Sequence, residues 1–282
     1  MTVFPGFIKQ VEKPAFPYRY SICTLVTRKQ EYLEMLDSFI KAGFNENICE
    51  YLIIDNSETN LMDAYQGINS FLQKAQGEYI ILCHQDILLI ENVSNIQTLD
   101  EQIAAMNVRD PNWGVLGNAG GATRLYKRMA IKIAYSNEVV DIQGTVPQQV
   151  GCIDENFMLV KNSANLALSG NLSGYHLYGF ELCMVAELLG YNAWVIDFLL
   201  VHKSEGNVNK SYHDILARVK TKYTHFMRGR YVNTTIKRFY ISGSYLKNLL
   251  FDTRVLRRII KTTEEIRFKL TKNNKKRNEK EA

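Results

Sequence analysis

Apolar positions follow two rhythms along this chain. "YSICTLV", residues 20–26, is a short continuous apolar run of strand length. "KQEYLEMLDSFIKAGF" follows with Leu33, Leu36, Phe39 and Ile40 at helical spacing and Gly43 as a stop. "EYLIIDNSE" gives a second strand closing in turn residues, a helix is expected over residues 60–75, and "GEYIILC" gives a third strand. Strands alternating with helices predict an α/β fold with a mostly parallel sheet, whose ligand crevice lies at the carboxyl ends of the strands. Asp55 and the pair His84 and Asp86 fall at those ends.

Further along, residues 96–106 read as a helix and "WGVLGNAGG" as a strand entering a glycine-rich loop. Residues 122–150 are polar and irregular, like a variable insertion. A short strand follows near Phe157 to Val160, then a helix ending at Gly190 and a single strand, "AWVIDFLLV", ending at His202. Beyond residue 210 the pattern is helical throughout, with Val255, Leu256, Ile259, Ile260 and Ile266 on one stripe and Arg254, Arg257, Arg258 and Lys261 around it. The tail "KNNKKRNEKEA" has the composition of a disordered segment. These divisions give a body over 1–207, a basic helical extension over 208–270 and a tail over 271–282.

The sharpest chemical signal is "CHQD", residues 83–86. Side chains at i and i+2 of an extended chain share a face, so His84 and Asp86 project together while Gln85 points away. That places two metal-capable groups at one spot.

Composition narrows the class. At 282 residues and 46% hydrophobic content the chain can bury a full core, which excludes a disordered or fibrous protein. Five scattered cysteines without a CxxC pair read as buried thiols of a reducing compartment. The amino end lacks a basic stretch followed by an apolar one, and the longest apolar run, Ala193 to Val201, is broken by Asp197, so neither export nor a membrane span is expected. The net charge of +5 is unevenly spread: residues 203–282 hold 21 Lys/Arg against 7 Asp/Glu, leaving 13 against 22 for residues 1–202. An acidic body with a basic amphipathic appendage suits a cytoplasmic protein attached peripherally to the anionic inner face of a cell membrane through residues 245–270. A helix docked on the body is the simpler reading of the same stripe. Nucleic acid is not expected, because no RNA- or DNA-reading motif accompanies the charge.

Over residues 18–207 the order of features resembles the family 2 glycosyltransferases of GT-A fold. The matching pieces are "YSICTLVTRKQEYLEMLDSF", "LIIDNSE", "GINSFLQKAQGEYIILCHQD" and "YHLYGFELCMVAELLGY…VHKSEGN". The likeness is nearest the branch of antibiotic-sugar and surface-polysaccharide clusters, where HQD replaces DxD. It implies a Rossmann-like mixed sheet flanked by helices, with a divalent metal, Mn²⁺ or Mg²⁺, held by Asp86, His84 and His202 against a donor diphosphate. It further implies donor contacts by Thr27, Asp55, His84 and Asp86, with Arg28 beside them and Lys203, Ser204 and "SEGN" in a closing loop. Glu181 falls on an acidic position and is the expected catalytic base, although Gly179 replaces the aspartate two residues before it. Asp154 and Glu155 in "IDEN" are the carboxylates that compete with Glu181, and with His176 and Tyr178 they are expected on the acceptor side.

The implied activity is inverting transfer of a sugar, from a UDP-sugar, to a hydroxyl of a cell-surface glycan or lipid-linked oligosaccharide. His84 and Gly179 depart from the usual acidic pattern. They keep open a non-catalytic nucleotide-sugar-binding or scaffolding module, and a nucleotidyltransferase is a more distant rival.

Overall fold

The computed structural model describes residues 5–122, 129–136, 140–204, 209–256, 258–263 and 266. The first half follows the alternation: β1 (Tyr18–Val26), α1 (Lys29–Lys41), β2 (Cys49–Asp55), α2 (Ala64–Lys74), β3 (Gly77–Cys83), a short β4 (Ile87–Leu89) and α3 (Ile96–Arg109). Then come β5 (Trp113–Gly117), β6 (Ala119–Gly121), β7 (Met129–Tyr135), β8 (Val140–Gln143), β9 (Gln148–Val150), β10 (Cys152–Ile153) and β11 (Phe157–Lys161). The remainder is α4 (Tyr178–Leu188), β12 (Asn192–Val195), β13 (Leu200–His202), α5 (Lys210–Met227), β14 (Arg230–Asn233), β15 (Arg238–Ile241) and α6 (Tyr245–Phe251).

Seven strands form the main sheet in the order β2-β1-β3-β11-β5-β12-β9. β2 and β3 run parallel to β1, and β12 parallel to β5, while β11 is antiparallel to both β3 and β5 and β9 is antiparallel to β12. The expected architecture, a mixed and mostly parallel sheet flanked by helices, is the one that forms. Because strand side chains alternate, each face gathers its own layer. Tyr20, Ile22, Tyr79, Ile81, Phe157 and Leu159 join Met35 and Phe39 of α1 and Leu99, Ile103 and Met106 of α3 in one core cluster. On the reverse face Leu25 packs so closely on Gly67 of α2 that a Cβ there would lie 2.7 Å from it.

Local chemistry fixes the helix starts. Asp63 accepts the Gln66 amide, and the Gln66 side chain accepts from the Asp63 amide, a reciprocal capping box that begins α2. Asn95 caps α3 through the Thr98 amide. α4 begins without a side-chain cap of its own, after Leu177 in the left-handed region at φ 61°.

Three expectations are corrected. The segment 192–202 is two strands, not one: β12 ends at Val195 in the main sheet, and β13 joins a second sheet of order β10-β6-β7-β13-β4, with β8 paired to β7. The glycines of "NAGG" lie in β6 of that second sheet, not in a loop; a Cβ on Gly120 would lie 2.5 Å from the Cys152 carbonyl oxygen. The region beyond residue 210 is not wholly helical, since β14 and β15 form an antiparallel hairpin. The irregular stretch 122–150 contributes β7, β8 and β9, while residues 123–128 and 137–139 lie outside the described residues, as do 205–208, Arg257 and the tail 271–282.

Chain contacts divide the molecule into Met1–Leu216 and Ala217–Ala282, with α5 crossing the boundary. Cys23, Cys49, Cys83 and Cys183 are buried free thiols and Cys152 is a half-buried one. Among the described residues no helix is long and apolar enough to cross a membrane.

Phe157 is fully buried and stacks on Phe198 at 5.2 Å, between the main sheet and the chain leading to β13. Phe157→Ala should cost about 3–5 kcal/mol of unfolding free energy, read from the midpoint of a urea titration. A shift below 1 kcal/mol would mean that this cluster is not a tightly packed core.

Candidate functional site

β3 ends at Cys83, and the chain turns through His84, Gln85 and Asp86 before β4. Gln85 anchors that turn. Its side-chain oxygen accepts both the Thr27 and Arg28 amides, at 2.8 and 2.9 Å, and its amide nitrogen donates to the Thr27 hydroxyl at 2.9 Å. Residue 85 is thereby tied to the end of β1, while His84 and Asp86 on either side of it reach His202. The His84 amide also donates to the Asn156 carbonyl at 3.0 Å.

His202 reaches the same place through β13, which pairs antiparallel with β4 so that His202 faces Ile87, beside Asp86. His202 Nε2 lies 3.4 Å from Asp86 Oδ1 and 3.4 Å from His84 Nδ1, and His84 Nδ1 lies 3.9 Å from Asp86 Oδ1. One ligand atom from each of these residues falls within 4.8 Å of the others. The Ser204 hydroxyl donates to Asp86 Oδ2 at 2.6 Å, and His84 Nε2 and the Tyr178 hydroxyl are 2.9 Å apart. A proton on His84 Nε2, donated to Tyr178, leaves the Nδ1 lone pair aimed at the cluster.

Electrostatics favour the protonation states that a cation needs. Burial, then the neighbouring His202, hold the His84 imidazole below its ordinary pKa, against the pull of Asp86 and Asp154. Burial pushes the Asp86 carboxyl upward, but hydrogen bonds from His202 and Ser204 and the two imidazoles outweigh it and hold the group well below the carboxylate range. Two imidazoles and one carboxylate on three separate positions fit a divalent first-row ion. Imidazole donors suit Mn²⁺ better than Mg²⁺, which prefers oxygen alone.

A cleft of about 260 Å³ opens beside this cluster, with His84, Gln85, Asp86, Thr27, Arg28, Glu155 and Tyr178 at its polar edge and Leu25, Ile68, Phe71 and Met158 among its apolar walls. Thr27, His84 and Asp86 thus converge as expected. Asp55 ends β2 outside the cleft lining. Its carboxyl is drawn down to about 2 by hydrogen bonds from the Ser57 hydroxyl and amide and by Lys29, 3.1 Å away.

The acceptor-side expectations fare unevenly. Asp154 is exposed and turns its carboxylate onto the Asn156 amide at 3.0 Å. The His176 ring packs edge-on against Tyr212, and its carbonyl accepts the Tyr65 hydroxyl. Tyr178 is buried and lines the cleft, where it serves His84. Glu181, the expected base, does not line the cleft: it is fully buried in α4 and accepts the Ser169 hydroxyl. Glu155 lines the cleft instead, half-buried, with an oxygen 3.2 Å from the Gly179 amide. Gln85 and Ser204 carry supporting roles that no motif announces, although each lies within a stretch that the motifs mark.

Fold and site together define a mixed α/β protein with a His-Asp-His cluster at the carboxyl edge of its sheet. The chain belongs to the same family as "ATP synthase subunits region ORF 6" of Fuscovulum blasticum, with 30% identity over 249 residues, 87% of this chain and 98% of that protein. No protein-family model matches. Similar solved structures include TarS 1–349 of S. aureus, at 13% identity over 66% of this chain and 60% of that one, with a TM-score of 0.44. The mannosyltransferase PcManGT of Pyrobaculum calidifontis, solved with GDP-Man and Mn²⁺, is similar at 12% identity over 76% of this chain and 66% of that one, with a TM-score of 0.46. The catalytic domain of Drosophila beta1,4galactosyltransferase 7, solved with xylobiose, is similar at 10% identity over 84% and 99%, with a TM-score of 0.45. All three scores lie below 0.5, a loose likeness that assigns no residue a role.

The cluster predicts metal binding directly. Mn²⁺ titration followed by electron paramagnetic resonance should show one site in the parent, lost in Asp86→Asn and in His202→Ala. Tyr178→Phe should keep the site but weaken it about 10- to 100-fold, the usual cost of losing a ligand's hydrogen-bond partner. Equal Mn²⁺ affinity in parent and Asp86→Asn would remove the cluster from consideration.

Proposed function

We propose that this chain is a metal-dependent glycosyltransferase of GT-A type, in the family 2 class. It moves a sugar from a nucleotide-sugar donor, a UDP-sugar, to a hydroxyl of a cell-surface glycan or lipid-linked oligosaccharide, with inversion. The observation that carries this reading is the convergence of His84, Asp86 and His202 at the carboxyl end of β3, beside a cleft with one apolar wall and one polar edge. In an α/β sheet that edge is where ligands bind.

His84, Asp86 and His202 would hold the ion, and Ser204 and Tyr178 would orient two of them. A bound divalent cation supplies positive charge that stabilises a departing diphosphate. Thr27, presented by the end of β1 and fixed by Gln85, belongs to the donor side. Asp55, half-buried at the end of the neighbouring β2, would meet the polar face of the nucleotide. The apolar walls limit water access to the reacting centre and strengthen the electrostatic contacts there.

The acceptor reading draws on the second unit. α6 has no buried residue, and Tyr245, Leu246, Leu249, Leu250, Val255 and Ile259 are all more than half exposed. Lys247, Arg254, Arg258 and Lys261 accompany them. An exposed apolar stretch bordered by cations suits the surface of an anionic membrane, where a lipid-linked acceptor would reside.

Two measurements test these readings. Thermal melts against UDP-glucose, UDP-N-acetylglucosamine and GDP-mannose should show stabilisation by one donor only when Mn²⁺ is present. A ligand at about 100 times its Kd adds about 2.7 kcal/mol. No Mn²⁺-dependent shift with any donor, and no nucleotide release, would refute sugar transfer. The full chain should cosediment with phosphatidylglycerol vesicles at low salt and lose most of that binding when residues 245–282 are removed; indifference of the full chain to such vesicles would refute the membrane assignment.

A further inference from the structure

The cleft needs a group to take a proton from the attacking hydroxyl, and Glu181 is out of reach. Among the described residues two carboxylates line the cleft, Asp86 and Glu155. Asp86 is committed to His202 and Ser204, which leaves Glu155.

We infer that Glu155 is the catalytic base, delivered by the turn between β10 and β11 onto the first turn of α4. This assignment rests on the transfer reading above and names one of its residues. The geometry supports it in three ways. The Gly179 amide donates to Glu155 Oε1 at 3.2 Å, so the carboxylate lies at the amino end of α4, which has no cap from its own N-cap residue. Gly179 makes room for it: a Cβ at that position would lie 3.1 Å from Glu155 Cγ and 2.3 Å from the Ile153 carbonyl oxygen. The residue before it, Tyr178, holds His84, so the first turn of α4 joins the carboxylate to the metal-ligating cluster.

The surroundings tune Glu155 for the task. Burial, and secondarily the charge of Asp154, push its carboxyl up to about 8 against the stabilising amides of α4. Near pH 7 the group is therefore mostly protonated, and since only its ionised form accepts a proton, turnover should rise with pH toward about 8. In the step, the acceptor O–H gives its proton to Glu155 while the oxygen's electron pair forms the bond to the anomeric carbon. The bond from that carbon to the diphosphate breaks, and its electron pair leaves on the diphosphate oxygen.

The test uses the full chain with Mn²⁺ and the three nucleotide sugars named above, with water as acceptor and nucleotide release as the readout. Glu155→Gln should bind UDP and Mn²⁺ in calorimetry within about threefold of the parent, melt near the parent temperature and release nucleotide at least about 100-fold more slowly. Glu155→Asp, which keeps the carboxylate on a shorter arm, should fall between them and decides the matter if the Gln variant does not fold. Parental turnover in a folded Glu155→Gln overturns the assignment while leaving sugar transfer standing, and where that variant does not fold, parental turnover in Glu155→Asp does the same. A parent that releases no nucleotide from any donor overturns the transfer reading and this assignment with it.

Discussion

The hydrogen bonds that fasten Gln85 to the end of β1 determine the site. A single buried amide accepts two consecutive backbone N–H groups and donates to the Thr27 hydroxyl. Each neutral hydrogen bond contributes about 1 kcal/mol net, and a buried N–H left without an acceptor costs about 1–3 kcal/mol. The larger effect is orientation. With Gln85 fixed toward β1, the turn leaves His84 and Asp86 together where β13 brings His202. The polar residue between the two metal-capable ones is therefore the part of "HQD" that makes the other two useful.

The two sheets divide the labour. The main sheet supplies the core and ends its parallel strands along one edge, while the second sheet carries His202 to that edge from 118 residues beyond His84 in the chain. The break between β12 and β13 is what permits this. Val195 is the last residue paired to the main sheet, Ile196 and Phe198 fill the core, and the chain re-emerges in the second sheet at Leu200. Asp197 projects outward from the crossing and pairs with Lys132 of β7 at 3.0 Å.

Around the cleft, neighbouring groups are driven to different acidities by their partners. Asp86 is held strongly acidic by hydrogen-bond donors that outweigh its burial, whereas Glu155 is raised to about 8 because burial outweighs the helix amides. His84 is shifted below its ordinary value by burial and by the neighbouring His202. Separation of this kind lets one small site keep one carboxyl ionised and another largely protonated near neutral pH.

Local periodicity by itself determined the strand and helix order of the first half, because it depends on neighbours within a few residues, and it placed His84 and Asp86 together at the end of β3. It also made Asp55 and His202 visible as strand-end groups, and it marked the basic, apolar stretch beyond residue 245. Tertiary structure alone decided which of those groups meet. A continuous apolar run, "AWVIDFLLV", contains no sign that its two ends belong to different sheets, since pairing partners lie far away in sequence. The different placement of Glu181 and Glu155 has the same cause: Glu181 packs inward onto the Ser169 hydroxyl, while a turn 24 residues earlier than Gly179 brings Glu155 to the cleft.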